Sequence, residues 1–148
     1  MNLKERATTH PDFITLTRKL DEDLAARYGD AQTKYDTHNT VQSIPTAMVG
    51  YENGIPVACG CFKKISRGRV EIKRMYVAPD FRGEGMAQTL LTALEYWAAR
   101  LGYEKVRLET GKGQPEAIGL YKKAGYSVIP NYGPYKKLEN SVCMEKTI

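Results

Sequence analysis

The chain has 148 residues, 42% of them apolar and 26% charged, with a net charge of +5 and a pI near 9.1. That length suits one folded unit with its own apolar core, so a single domain over residues 1–148 is expected. No run is apolar enough to span a membrane, the opening MNLKERATTHPDF has no signal-peptide core, and Lys and Arg are dispersed among acids, so the expectation is a cytoplasmic protein meeting a small anionic ligand, with a nucleic-acid partner resting on pI alone.

Asn2–Ala7 reads as a short first strand. Residues 11–28 follow as a helix, with Asp12 in the first turn and Phe13, Leu16, Leu20, Leu24 and Tyr28 at helical spacing; Gly29 and Asp30 stop it. Residues 31–44 are polar and fit either a short helix or a loop over a site. Two β-rich runs then flank Glu52-Asn53-Gly54, a hairpin signal, and RVEIKRMYV completes a three-strand antiparallel meander. Strict alternation along it would set Val70, Ile72, Arg74 and Tyr76 against Glu71, Lys73, Met75 and Val77.

After Pro79 the period becomes helical. Ala87, Leu90, Leu91, Leu94, Trp97, Ala98 and Leu101 mark one face of a long helix ended by Gly102. KVRLET, separated from RMYV by that helix, implies a right-handed crossover and a parallel pair. A short helix over 115–123, then YSVI and SVCMEKTI joined by the loop PNYGPYKKLEN, finish the chain. Three cysteines, Cys59, Cys61 and Cys143, lack metal-type spacing, so neither a disulfide framework nor a metal site is expected. Cys59 and Cys61 share one strand face and read as small buried hydrophobes.

The stretch FRGEGMAQTLL (81–91) puts two glycines and an arginine at the mouth of the long helix. A helix N-terminus offers unpaired N–H groups and partial positive charge, which suits phosphate. A dinucleotide fingerprint is disfavoured, because its third glycine position holds Gln88 and the unit follows a meander. A Walker loop is absent. On these grounds the stretch is either a plain Gly-rich turn or a diphosphate seat.

Arg82-Gly83-Glu84-Gly85-Met86-Ala87 resembles the R/Q-x-x-G-x-G/A acetyl-CoA signature of the GNAT N-acetyltransferase superfamily. The resemblance runs through MYVAPDFRGEGMAQTLL and LETGKGQPEAIGLYKKAGY and covers roughly residues 45 to 130. It implies an α/β fold of the mixed-sheet α+β kind, an antiparallel meander followed by a βαβ crossover whose central strands splay apart. It also implies acetyl-CoA as co-substrate, with no metal. The backbone amides of Arg82, Gly83, Glu84, Gly85, Met86 and Ala87 would hold the diphosphate, and the backbone of Met75, Tyr76 and Val77 the pantetheine arm. An N–H near Tyr76 or Val77 would meet the oxyanion.

Gln114 stands where the family commonly has Asn, and would contact CoA. Tyr121 matches the family's general acid toward the leaving thiolate. Glu71 matches its strand glutamate base, needed because an ammonium acceptor must lose a proton before attack. Read from the residues alone, Glu71 is equally an ion-pair partner of Lys73, Arg74 or Arg69. The acceptor pocket would draw on Tyr28, Tyr35, His38, Tyr132 and Tyr135, although His38 reads most simply as a surface histidine. The expected activity is acetyl transfer to a primary amine of a small molecule or amino acid; the alternatives are a protein or peptide acceptor and a non-catalytic acyl-CoA-binding sensor. A homodimer is compatible with the resemblance.

Overall fold

The structure is a computed structural model that describes residues 1–29 and 43–148. Its strands are β1 (Asn2–Arg6), β2 (Ala47–Glu52), β3 (Ile55–Ser66), β4 (Arg69–Val77), β5 (Lys105–Gly111), β6 (Ser127–Ile129) and β7 (Ser141–Thr147); its helices are α1 (Pro11–Tyr28), α2 (Met86–Arg100) and α3 (Pro115–Lys123). This is the element order expected from the sequence. The seven strands form one sheet ordered β1-β2-β3-β4-β5-β7-β6, in which β4 and β5 are the parallel pair and the other neighbours run antiparallel. Tyr35 and His38 lie outside the described residues.

Helices cover both faces of the sheet. α1 starts at Pro11, where His10 Nδ1 accepts from the Asp12 amide at 3.1 Å, a cap that satisfies an amide with no partner inside the helix. Its Phe13 and Leu16 bury against Val49, Cys59, Cys61 and Tyr76. On the opposite face Leu90, Leu91, Leu94 and Ala98 of α2, with Tyr121 of α3, pack on Val70, Ile72, Val106, Leu108 and Met144. This is the three-layer solution for a sheet apolar on both sides. Leu101, expected on the buried stripe, is instead the C-cap of α2 and 54% exposed; the helix ends before its turn brings that position to the core.

The alternation expected along β4 fails at one residue. Arg74 has φ 61°, and between Cys59↔Tyr76 and Cys61↔Lys73 two β4 residues, Arg74 and Met75, oppose the single Gly60. This is a β-bulge, and it reverses the facing of everything after it. Val70, Ile72, Met75 and Val77 therefore join the α2 side, whereas Tyr76 joins the α1 side. A left-handed conformation is costly for a residue with a Cβ. The Arg74 guanidinium offsets that cost by donating to Thr17 O at 2.9 Å and Asp21 Oδ1 at 2.7 Å on α1.

The same region opens the sheet. β4 pairs with β5 over Arg69–Glu71 and Lys105–Arg107. Beyond that, β4 stays paired with β3 as far as Val77↔Ala58, and β5 stays paired with β7 as far as Gly111↔Ser141. Each half of the sheet keeps its outer ladder while the shared inner edge parts.

Candidate active site

Two cavities occupy the gap between the parted strands and meet at Leu20, Leu24, Met75, Gln114, Ala117 and Tyr121. The larger, about 380 Å³, runs from Met75, Tyr76 and Val77 of β4 to Arg82, Gly83, Gly85, Met86 and Ala87 at the start of α2. Glu84 is exposed and does not line it. Gly83 and Gly85 have φ of 80° and 79°, and a Cβ on either would meet nothing within 4 Å. Backbone conformation therefore requires glycine here, not crowding. Gly85 is the N-cap of α2, and no side chain among the described residues caps it. The first-turn amides and the dipole consequently face the groove.

Arg82 braces this turn. Its Nε donates to Val77 O and its Nη2 to Asp23 Oδ2, both at 2.8 Å, and its guanidinium lies 5.6 Å from the Tyr76 ring centroid. Arg27 of α1 pairs with Glu116 of α3 at 2.6 Å and donates to Gly113 O at 2.8 Å. Beside it, Tyr28 packs on the end of β5 and the loop that follows: a Cβ on Gly111 would run into its hydroxyl and ring, and one on Gly113 would meet its ring at 2.9 Å. Gln114 Nε2 donates to Tyr28 Oη at 3.3 Å. The end of α1 thus spans the gap between the two sheet halves.

The smaller cavity, about 120 Å³, is lined by Tyr28, Lys73, Arg74, Glu109, Tyr121 and Tyr135 among others. Tyr121 is buried, edge-to-face with Tyr126 at 5.9 Å. Burial, then the charge of Glu109, pushes its hydroxyl well above the usual phenol range, so it stays protonated and able to donate.

Glu71 is 4% exposed but lines neither cavity. Lys73 Nζ donates to its Oε1 at 3.2 Å, and Tyr132 donates its hydroxyl to Oε2. Of the three expected partners the structure selects Lys73; Arg69 turns to Glu145 at 3.2 Å and Arg74 to Asp21 at 2.7 Å. Tyr135 lines the smaller cavity and accepts from Lys73 at 3.2 Å. Tyr132 lines neither and instead covers Glu71, with the Arg107 guanidinium 4.7 Å from its ring centroid.

Glu109 was not singled out from the sequence. It lines the smaller cavity and accepts from Ser141 Oγ at 2.6 Å. Burial raises its pKa above the usual 4.5, and the Ser141 hydrogen bond and Lys73 charge oppose that rise. The signal available was weak: a lone acid in an alternating strand, Arg107-Glu109-Gly111. Cys59 and Cys61 are fully buried as expected, and burial pushes the Cys61 thiol up to about 12, which leaves it without thiolate for nucleophilic work. Among the described residues no group of His, Cys, Asp or Glu has the arrangement of a metal site.

The Acetyltransferase (GNAT) family model matches residues 13–126. An IAA acetyltransferase of Azospirillum brasilense is 31% identical over 137 residues, 91% of this chain and 90% of that protein. A Klebsiella pneumoniae structure assigned as an acyl-CoA N-acyltransferase superposes with a TM-score of 0.79 at 30% identity, covering 99% of this chain and 96% of that one. A Thermoplasma acidophilum N-acetyltransferase, solved in complex with coenzyme A, shares the fold with a TM-score of 0.72 at 16% identity over all of both chains.

Proposed function

Because the chain belongs to the GNAT family of acetyltransferases, we propose that it transfers the acetyl group of acetyl-CoA to the primary amine of a small molecule or amino acid, by direct attack in a ternary complex. The observation that carries this reading is the junction of the two cavities at Tyr121, with the bare α2 N-terminus along one and Glu109 in the other. A donor stretched along the β4–α2 groove would bring its thioester to that junction. An acceptor in the smaller cavity would meet it there.

The acceptor ammonium loses a proton to Glu109, directly or through water. The amine lone pair then forms the N–C bond, and the carbonyl oxygen takes up negative charge beside the β4 backbone near Tyr76 and Val77. Collapse breaks the C–S bond, and the departing thiolate takes the Tyr121 proton. The products are the acetamide and CoA–SH: the attacking nitrogen, cationic after C–N bond formation, releases its second proton through water to reprotonate Tyr121, and Glu109 gives up the first to solvent. No covalent enzyme intermediate is needed. Glu109 is preferred to Glu71 as base because both Glu71 oxygens are engaged by Lys73 and Tyr132, while Glu109 lines the cavity.

The test is release of CoA thiol from acetyl-CoA across a panel of amines, amino acids and peptides. The name of the Azospirillum relative adds IAA to it. Turnover on a small amine supports the reading. Turnover on peptides alone moves the acceptor class, and acetyl-CoA binding with no turnover on any acceptor supports a sensor instead.

A further inference from the structure

We propose that Lys73, anchored by Glu71, is a positioning residue that keeps Glu109 in the carboxylate form the acceptor's proton requires. This rests on the reading of Glu109 as base. The smaller cavity and its wall hold two carboxylates on neighbouring strands, Glu71 buried and Glu109 partly buried. A buried carboxylate without a counter-charge takes up a proton and ceases to be a base. The described cations near Glu109 are Lys73, Arg74 and Arg107. Arg74 is committed to Asp21 and Thr17 O on α1, and Arg107 to Glu145 on β7. Lys73 faces the same cavity as Glu109, and its charge is the one that opposes the burial of Glu109.

The rest of the shell sets the balance. Tyr28 of α1, Tyr121 of α3 and Tyr135 of the β6–β7 loop line the cavity. Tyr132 covers Glu71 from outside. Ser141 of β7 donates to Glu109, and Cys143 of β7 is buried nearby as a thiol held up by burial. Two acids and one ammonium therefore share the space, and each acid draws on the Lys73 charge. Glu71 fixes the Lys73 ammonium through Oε1 and, at the same time, competes with Glu109 for it. The two neighbours of Glu109 on β4 must then act on it with opposite sign.

The test is the pH profile of kcat/KM for the acceptor, at saturating acetyl-CoA, in the full chain. Lys73→Met should move the acidic limb upward by about one pH unit or more, and Lys73→Arg should return it toward the original position. Glu71→Gln removes the competing charge and should move the limb downward while activity persists. A 13C NMR titration of the Glu109 carboxyl should shift in the same directions, which reads the effect even where turnover is too slow to profile. Unchanged acetyl-CoA affinity shows that each variant has folded. Limbs that move together or stay put in Lys73→Met and Glu71→Gln overturn the proposal, as does loss of all activity in Glu71→Gln. If Glu109→Gln keeps full activity and the acidic limb, the reading of Glu109 itself fails instead.

Discussion

The β4–α2 turn and the face shared by β4, β5 and β7 are both polar sites at one opening in the sheet, but they are built differently. The turn comes from one run of residues, Val77 to Ala87, and is made of backbone: two left-handed glycines and a helix start that no side chain among the described residues caps. The face comes from Glu71, Lys73, Glu109, Tyr132, Tyr135 and Ser141, each carried by its side chain and drawn from strands and a loop up to 70 residues apart (Glu71 to Ser141). A backbone site tolerates side-chain change but not a change of φ. A side-chain site tolerates backbone-neutral neighbours but not the loss of a single hydrogen-bonding group.

The largest effect should fall on the second region. Glu109→Gln is nearly isosteric and keeps an acceptor for Ser141, so the fold should survive. The kcat should drop about 10²–10⁴-fold, the usual contribution of a general base, with acetyl-CoA affinity retained. A drop in affinity with kcat kept would erase the distinction between the regions.

Gly85→Glu is the converse experiment. It forces a side chain into φ 79° and brings a negative charge to the helix mouth. Strain of about 1–3 kcal/mol plus repulsion of the diphosphate should weaken acetyl-CoA binding about 100-fold or more, read by calorimetry. Gly85→Ala carries the strain without the charge and should lie between. Equal affinity for Gly85→Glu and wild type would remove the diphosphate from this turn.

These contrasts also explain what could be read from the chain. The turn was legible because its information is local: Arg82, Gly83 and Gly85 are neighbours, and helical periodicity starts beside them. The element order was legible for the same reason, since each period change is local. The facing of β4 beyond Ile72 was not. Alternation assumes an unbroken strand, and the bulge at Arg74 depends on Asp21 and Thr17 of α1, which only folding brings near. The place of Glu109 in the smaller cavity, on which its proposed role rests, was hidden in the same way. Nothing adjacent to it in sequence says that β4 will part from β5 just where it faces inward, or that Lys73 will stand opposite.

Tyr121 belongs to both regions, because it lines both cavities. Tyr121→Phe keeps the edge-to-face packing on Tyr126 and removes only the proton donor. We expect kcat to fall about 10-fold or more, with acetyl-CoA affinity nearly unchanged. The loss should shrink for acyl donors with a more acidic leaving thiol, which needs less help from an acid. An equal loss for all thiols would make Tyr121 a wall and not an acid.

The smallest effect separates two acids on the same sheet face by their response to pH. Glu145 is lowered from 4.5: burial raises it, but the Arg107 hydrogen bond and the charges of Arg107, Arg69 and Lys105 outweigh that. A carboxyl held lower in the fold than in the unfolded chain contributes stability above its unfolded pKa, and loses it as pH falls through the folded value. Glu109 is raised from 4.5, so its contribution has the reverse sign: present below the unfolded pKa and lost as pH climbs through the folded one. Urea unfolding of Glu145→Gln and Glu109→Gln across about pH 3.5 to 8, a range that brackets both acids, should therefore diverge. Glu145→Gln should be less stable than wild type at neutral pH and converge with it in acid. Glu109→Gln should gain on wild type as pH rises above 4.5. A burial cost that Glu109→Gln relieves at neutral pH, while kcat collapses, is what a carboxylate kept for catalysis at the expense of stability would produce.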